Sequence, residues 1–517
     1  MHDNNPFLKL SYEFALEKLG DDFYDAVQPA DFPNYLLRFR NDNLLFLLGL
    51  VPERVSDHHF IEAFGKFRKC PANRPFSQSS SQSSSQSFSH LSQTNPNKQT
   101  GLALRYHGYQ FGQYNPYLGD GRGFLYGQVR SVTNTLMDLG TKGSGTTPYS
   151  QGRDGRMTLL GGIREVLAAE ALHQLGIPTA RTLSLVETGE QLERADEPGP
   201  VRSAVMARLN QSLIRFGTFE RLEYFDRPDL IRKLLDYAIA HYYSHLWPFP
   251  DRDIQFYAEL VQRTAHLVAQ WMAAGFCHGV LNTDNMSIVG EGFDYGPYAF
   301  IETYSPCFTA ASFDREGRYS YRNQPSVCRW NLERLQHPLA LVIPKADMED
   351  VLVSFTAIYD QAYYQAMIQK LGFQHLPAQD ADALIQLTLE LLLITQIGYH
   401  QFFKTLKQQF FPQWREDLTL IFADVSVFSS LQRKSVSSSD LDRALKPWKG
   451  LYHRLLRQQP AAEMAAMAQR LKQYNPETTL LQPAVRALWQ AIEQTDNWQP
   501  FSQTIANLEA NALTSFI

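Results

Sequence analysis

Three oxygen-bearing side chains near the middle of the chain, Asp284, Asn285 and Asp294, are of the types that hold a divalent cation and accept a proton. Carboxylate and amide oxygens are hard ligands, suited to Mg2+ or Mn2+ bridging phosphates. Asn285 and Asp294 are the candidate metal ligands. Asp284 is the one carboxylate inside His278-Gly-Val-Leu-Asn-Thr-Asp-Asn285. It reads either as a general base or as a loop-capping Asp bonded to backbone. His278 is expected to order the loop by hydrogen bonding. Upstream lie Gly119-Asp-Gly121-Arg122, Lys142 in Thr141-Lys-Gly-Ser-Gly145, Gly152-Arg-Asp154-Gly155-Arg156, Arg208 and Arg215. Glycines let backbone N–H groups approach phosphates, and arginines fork onto phosphate oxygens. Singly, each cluster reads equally as a hairpin turn or a solvated cation. Together, upstream of the Asn…Asp pair, they describe a triphosphate with its counter-charges and a divalent metal.

These residues need a scaffold. From Leu102 to about Leu209 the pattern is strand-rich, with strands expected at Gly123–Val129, Thr135–Leu139, Thr182–Val186 and Ser203–Leu209. One helix interrupts them: Ile163, Val166, Leu167, Ala171, Leu172 and Leu175 form an apolar stripe stopped by Gly176 and Pro178. Glu165 lies off that stripe and is the candidate ion-pair partner of Lys142; Glu170 is the rival. After Phe216 the chain turns helical, with long helices over Leu230–Leu246 and Tyr257–Ala274, the second running into Gly275 and His278. Ala383 to Phe403 reads as one buried amphipathic helix. The expected organisation is an N-terminal extension (1–75), a small nucleotide-binding lobe (101–210) and a large helical lobe (211–517). Residues 76–100, rich in Ser and Gln, cannot bury enough apolar surface to offset their ordering entropy and are expected to be a disordered loop.

The chain has 517 residues, an apolar fraction of 44% and a net charge of -5. That balance suits a soluble globular protein and gives bulk nucleic-acid binding no electrostatic support. The four cysteines show no metal spacing, which suits a reducing cytoplasm. Met1–Pro6 has neither the basic nor the apolar region of a secretory signal, and no segment reads as a membrane span.

Set against a protein-kinase catalytic loop, H-R-D-x-x-x-x-N followed by D-F-G, His278, Asn285 and Asp294-Tyr-Gly296 fall in register. Val280 occupies the place of the kinase base, and valine cannot accept a proton. Asp284, four residues on, is the natural replacement. A small strand-rich lobe with one key helix, followed by a large helical lobe, makes the expected fold α+β and protein-kinase-like.

These motifs, in this order, resemble the selenoprotein O (SelO/YdiU) family of protein adenylyltransferases. The stretches that carry the resemblance include RYHGYQFGQYNPYLGDGR (105–122), IREVLAAEAL (163–172), LIRFGTFE (213–220), QWMAAGFCHGVLNTDNMSIVGEGFDYGPY (270–298), GRYSYRNQP (317–325) and YNPETTLL (474–481). The resemblance implies a kinase-like fold that binds ATP in a flipped orientation and transfers AMP to protein hydroxyls. It implies that Gly119, Gly121, Arg122, Lys142, Asp154, Gly155, Arg208 and Arg215 hold the nucleotide and that Glu165 pairs with Lys142. It assigns Asp284 as proton acceptor and Asn285 and Asp294 as metal ligands. Many relatives carry a Cys or selenocysteine near the C-terminus that pairs with a cysteine of the loop after the metal site; here Cys307 lies in that loop, but no cysteine follows Cys328. Little disulfide control is therefore expected. The resulting expectation is AMP transfer from ATP to Ser, Thr or Tyr of proteins with Mg2+ or Mn2+. The alternatives are UMP transfer from UTP with Mn2+, ordinary phosphoryl transfer, which Val280 opposes, and an inert ATP-binding pseudokinase scaffold.

Overall fold

The computed structural model describes residues 5–68, 98, 100–194, 199–424, 428 and 438–510. The expected Ser/Gln loop over 76–100 lies, Lys98 and Thr100 apart, outside the described residues. The strands are β1 (Tyr12–Glu13), β2 (Tyr24–Val27), β3 (Leu36–Arg40), β4 (Gly101–Leu104), β5 (Gly108–Gln110), β6 (Gln113–Asn115), β7 (Leu125–Arg130), β8 (Leu136–Lys142), β9 (Met157–Thr158), β10 (Arg181–Leu192), β11 (Val201–Asn210), β12 (Phe276–Cys277) and β13 (Ala299–Phe300). Nine of them form one antiparallel sheet in the order β2-β4-β7-β8-β11-β10-β3, with β1 against β7 and β9 against β11. Residues 1–75 are expected to form an extension, of which 5–68 are described. They supply β1, β2 and β3 to this sheet, two of them at its edges.

The sheet is covered on both faces, so β4, β7, β8 and β11 are buried along almost their whole length, polar residues included. On β11, Ala204 and Met206 enter the larger core while Val205 and Ala207 face a second one. The second core is closed by Phe7, Phe60, Phe64 and Phe67 from the N-terminal segment, which contains α1 (Asp42–Leu47) and α2 (Asp57–Phe60). The other face takes α3 (Leu159–Gln174). Thr158 caps α3, its hydroxyl accepting from Gly161 N at 3.1 Å. Gly176 follows its end with φ +69°.

Downstream come α4 (Phe216–Tyr224), α5 (Pro228–Tyr242), α6 (Arg252–Ala273), α7 (Gln324–Leu339), α8 (Lys345–Val353), α9 (Phe355–Lys370), α10 (Ala378–Thr395), α11 (Tyr399–Gln409), α12 (Ser438–Gln458), α13 (Glu463–Tyr474), α14 (Gln482–Thr495) and α15 (Gln499–Ala510). The single helix expected over Ala383–Phe403 is two. Gln396 ends α10 in the left-handed conformation, φ +54°, and Gly398 starts α11. The apolar stripe continues across the break because both helices face one core, so periodicity alone hides it. The last helices return to the sheet: α15 packs on α3, and Arg202 pairs with Asp496 at 2.8 Å. Among the described residues, no helix is long and apolar enough to cross a membrane.

Candidate active site

The buried helix α6 delivers the chain to the catalytic loop. Gly275 (φ +66°) turns it into β12, and His278 follows, fully buried. Burial lowers the His278 pKa, so the ring is neutral, and Nε2–H donates to Phe293 O at 3.0 Å. His278 thereby fixes the residue before Asp294 from the other loop, the ordering role expected of it. A short 3-10 turn, Thr283–Asn285, presents Asp284 and Asn285. The Asn285 amide nitrogen donates to Val280 O at 3.0 Å, which leaves its oxygen as the end free to face a cation.

Asp294 sits at φ +59°, in the left-handed region that Asp tolerates better than most side chains. Its Oδ1 accepts from Lys142 Nζ at 2.8 Å and from Arg208 Nη1 at 2.6 Å, and its Oδ2 from Arg215 Nη1 at 3.1 Å. Burial alone would raise its pKa, but Arg208, Lys142 and Arg215 together hold it well below the usual carboxylate range. Lys142, at the end of β8, also donates to Glu165 on α3. The other oxygen of Glu165 accepts from Tyr295 N at 3.2 Å, so one carboxylate ties β8, α3 and the Asp294 loop together. The rival Glu170 is engaged elsewhere, with Arg181 at 2.5 Å and Asn41 at 3.0 Å. Arg215 stacks over Tyr106 at 4.5 Å and Phe293 at 4.9 Å, and its Nη1 donates to Asp284 O at 2.9 Å.

Asp284 is nearly buried, and its Oδ1 has no hydrogen-bond partner. Burial pushes its pKa up to about 6, against the pull of Arg215. Beneath it, Thr283 Oγ1 donates to Glu220 Oε2 at 2.7 Å and accepts from Tyr109 N at 2.7 Å. Burial raises Glu220 to about 8, with Asp284 adding to the effect.

Lys142, Glu165, Arg208, Arg215 and Asp294 therefore form one contact network, with Asp284 joined through Arg215. Gly119 and Gly121 lie on the neighbouring loop, laced to residues 147–150: Thr147 Oγ1 donates to Asp120 O and Ser150 Oγ to Gly121 O, each at 2.5 Å. A Cβ at Gly119 would stand 2.3 Å from the Tyr149 ring, so the glycine is required for packing. Arg122 has an exposed side chain and, like Asp154 and Gly155, makes no direct bond to the Asp294 network. Asp154 pairs with Arg194 at 2.8 Å. Gly155 (φ +67°) lets the chain pass against Gly145, whose backbone a Cβ would meet at 2.2 Å.

Sequence reasoning named Gly119, Gly121 and Arg122 in this loop but passed over Asp120, which accepts from Leu104 N at 3.1 Å and faces Arg215 at 3.4 Å. It also missed Tyr106, Glu220 and Phe293. Spacing gave no signal for these, because their role lies in what they pack beneath.

The donor set fits a nucleotide-borne divalent cation. Among the described residues, no three His, Cys, Asp or Glu side chains cluster as an all-protein cage. One amide and one carboxylate oxygen suit an ion that completes its shell with phosphate oxygens and water.

Comparison with known proteins gives the family. Residues 6–509 match the family described as protein adenylyltransferase SelO. The chain is 53% identical over 506 residues to the protein nucleotidyltransferase YdiU of Trichodesmium erythraeum, covering 96% of this chain and 98% of that one. The Gloeobacter violaceus protein of the same name is 53% identical over 505 residues, covering 98% and 96%. That of Azotobacter vinelandii is 34% identical over 488 residues, covering 94% and 91%.

Proposed function

This chain belongs to the SelO family of protein adenylyltransferases, and from that premise we propose how its residues move AMP from ATP to Ser, Thr or Tyr hydroxyls of proteins, with pyrophosphate leaving. The arrangement is read as kinase-like: a small lobe built on the sheet and α3, and a large helical lobe carrying the catalytic loop. The observation that carries the reading is the contrast of two carboxylates. Asp294 is held by three cations from separate elements, while Asp284 keeps an unpartnered buried oxygen nearby.

In this reading Lys142, Arg208 and Arg215 exchange the Asp294 carboxylate for the β- and γ-phosphates, with Arg122 and the backbone around Gly119–Gly121 and Gly155 closing on the nucleotide from its exposed side. Asp294, released from part of its cation shell, and Asn285 would hold the divalent cation, Mg2+ or Mn2+. That ion would supply positive charge against the phosphate oxygens as negative charge develops there. Asp284 accepts the proton of the acceptor hydroxyl. The hydroxyl oxygen bonds to the α-phosphorus as the bond to the β-phosphate bridging oxygen breaks, and pyrophosphate carries away the electron pair. A base with a pKa near 6 is largely ionised at neutral pH yet still basic enough to take the proton. The same loop, with Val280 in the kinase position, offers no base there to a hydroxyl attacking the γ-phosphorus.

The test uses ATP labelled on the α- or the γ-phosphate, followed by intact-protein mass. Label from the α-phosphate alone and an AMP-sized increment are expected. A phosphate-sized increment would overturn the reading.

A further inference from the structure

We propose, resting on the reading above, that Arg318 is a docking residue for the acceptor protein and takes an acidic side chain about three to four residues from the modified hydroxyl.

The hairpin formed by β5 and β6 lies along the mouth of the catalytic loop. At its base, a Cβ on Gly108 would lie 2.8 Å from Asp284 Oδ1. At its tip, Gly112 (φ +81°) packs on the guanidinium of Arg318, where a Cβ would lie 3.2 Å from Cζ. The hairpin is pinned between these points: Tyr109 N donates to Thr283 Oγ1 at 2.7 Å, and Phe111 N donates to Tyr319 OH at 2.9 Å. The chain from Gly108 to Gly112, extended to Gln110 and turning at Phe111 (φ +52°), thus sets the distance from the base to Arg318. At about 3.3 Å per extended residue this is at most about 13 Å, so an extended acceptor with its hydroxyl at Asp284 reaches Arg318 within about four residues.

Arg318 is half-buried and stacked 4.6 Å over the Trp330 ring. Among the described residues, no carboxylate lies within ion-pair distance of it. Asp314, the acid nearest in sequence, accepts from the backbone N–H groups of Arg318 at 3.0 Å and Tyr319 at 2.8 Å. Other arginines of the region are matched: Arg208 and Arg215 by Asp294, and Arg334, on Trp330 at 5.1 Å, by Glu333 at 2.9 Å. A guanidinium held over an aromatic ring, partly desolvated and lacking a carboxylate, is preorganised for a bidentate pair with one. Beside it the exposed rings of Phe111 and Phe313, 6.1 Å apart, offer apolar surface to the same segment.

The test uses fluorescein-labelled synthetic peptides with a single Ser and a single Asp moved stepwise away from it, and Asn-for-Asp controls. Binding is read by anisotropy, which needs no transfer, and the same peptides are then assayed with α-labelled ATP. The Asp peptide with about four residues of separation is expected to bind about tenfold tighter than its Asn control. Arg318→Ala should erase that difference, raising the KM for the Asp peptide while leaving the KM for ATP unchanged. Arg318→Glu should reverse it, favouring a Lys peptide. Equal binding of Asp and Asn peptides by the unaltered protein, or Arg318→Ala that keeps the preference or weakens both peptides alike, overturns the proposal. A binding preference without any AMP transfer keeps the docking role and instead removes the transfer reading. Transfer without preference does the opposite.

Discussion

Asp284 and Asp294 stand ten positions apart in sequence and meet opposite environments. Asp294 faces Lys142, Arg208 and Arg215, and its pKa is driven well below the ordinary range despite burial. Asp284 is enclosed as well, but with one oxygen unbonded and Arg215 as the one cation set against its burial, it rises to about 6. Burial is common to both; the number of facing cations decides the outcome. A carboxylate kept permanently ionised suits ligation, and one poised near neutrality suits proton transfer.

Separating those roles should produce the largest effect. Asp284→Ala is expected to cost about 10²–10⁴-fold in AMP transfer while nucleotide binding, read by calorimetry, stays near wild type. Asp294→Ala should lose transfer together with metal-dependent nucleotide binding. If the two variants behaved alike in calorimetry, the contrast would be empty. Next in size, Lys142→Ala removes one cation from Asp294 and the partner of Glu165. About a hundredfold loss in rate is expected, with a raised KM for ATP.

A smaller effect concerns stability. The folded pKa of Asp294 is depressed, so its contribution is present above its unfolded value near 4 and is lost as pH falls through the folded value. Burial raises Asp138 to about 6, Glu291 to about 7 and Glu220 to about 8. Their contributions are complete below about pH 4 and are lost as pH rises through those values. His107, His173 and His400, lowered to about 4, 4 and 3, and Lys370, lowered to about 7, act in the opposite sense, so the acids' share is read from a variant rather than from the overall profile. The smallest effect is expected from Glu220→Gln. A carboxyl already largely protonated at neutral pH is replaced by a neutral group of the same shape, so transfer should change by no more than a few-fold, while the loss of stability between pH 7 and 9 becomes shallower. A loss comparable to that of Asp284→Ala would mean that Glu220 works as an anion.

The contact network around Asp294 was legible in the sequence because its parts are motif residues at restricted spacings. Lys142, Arg208 and Arg215 sit at or near the ends of readable elements, Glu165 lies within α3 off its apolar stripe, and Asn285 and Asp294 belong to the loop motif. Glu170 could not be separated from Glu165 by spacing; the choice depends on Arg181 and Asn41, which come from two other strands' ends. Tyr106 and Phe293 were hidden because stacking beneath an arginine leaves no periodic trace, and Asp120 because its partner Arg215 is brought to it only by the fold. The strands β1 to β3 were missed because two to five residues with a mixed pattern carry little strand signal, and their place is set by the edges they complete. The break at Gln396 was missed because one apolar face continues through it.

The left-handed backbone at Asp294 has one more consequence. Of the residues able to bind a hard cation, Asp and Asn are those that enter this conformation most readily, and most others pay roughly 1–2 kcal/mol there. Glu, one methylene longer and chemically the obvious substitute, is disfavoured by the main chain before any question of reach arises. In a saturation library the position should therefore tolerate Asn and Gly for folding and Asp alone for activity. The path by which this site drifts over generations is narrowed by a torsion angle as much as by a charge.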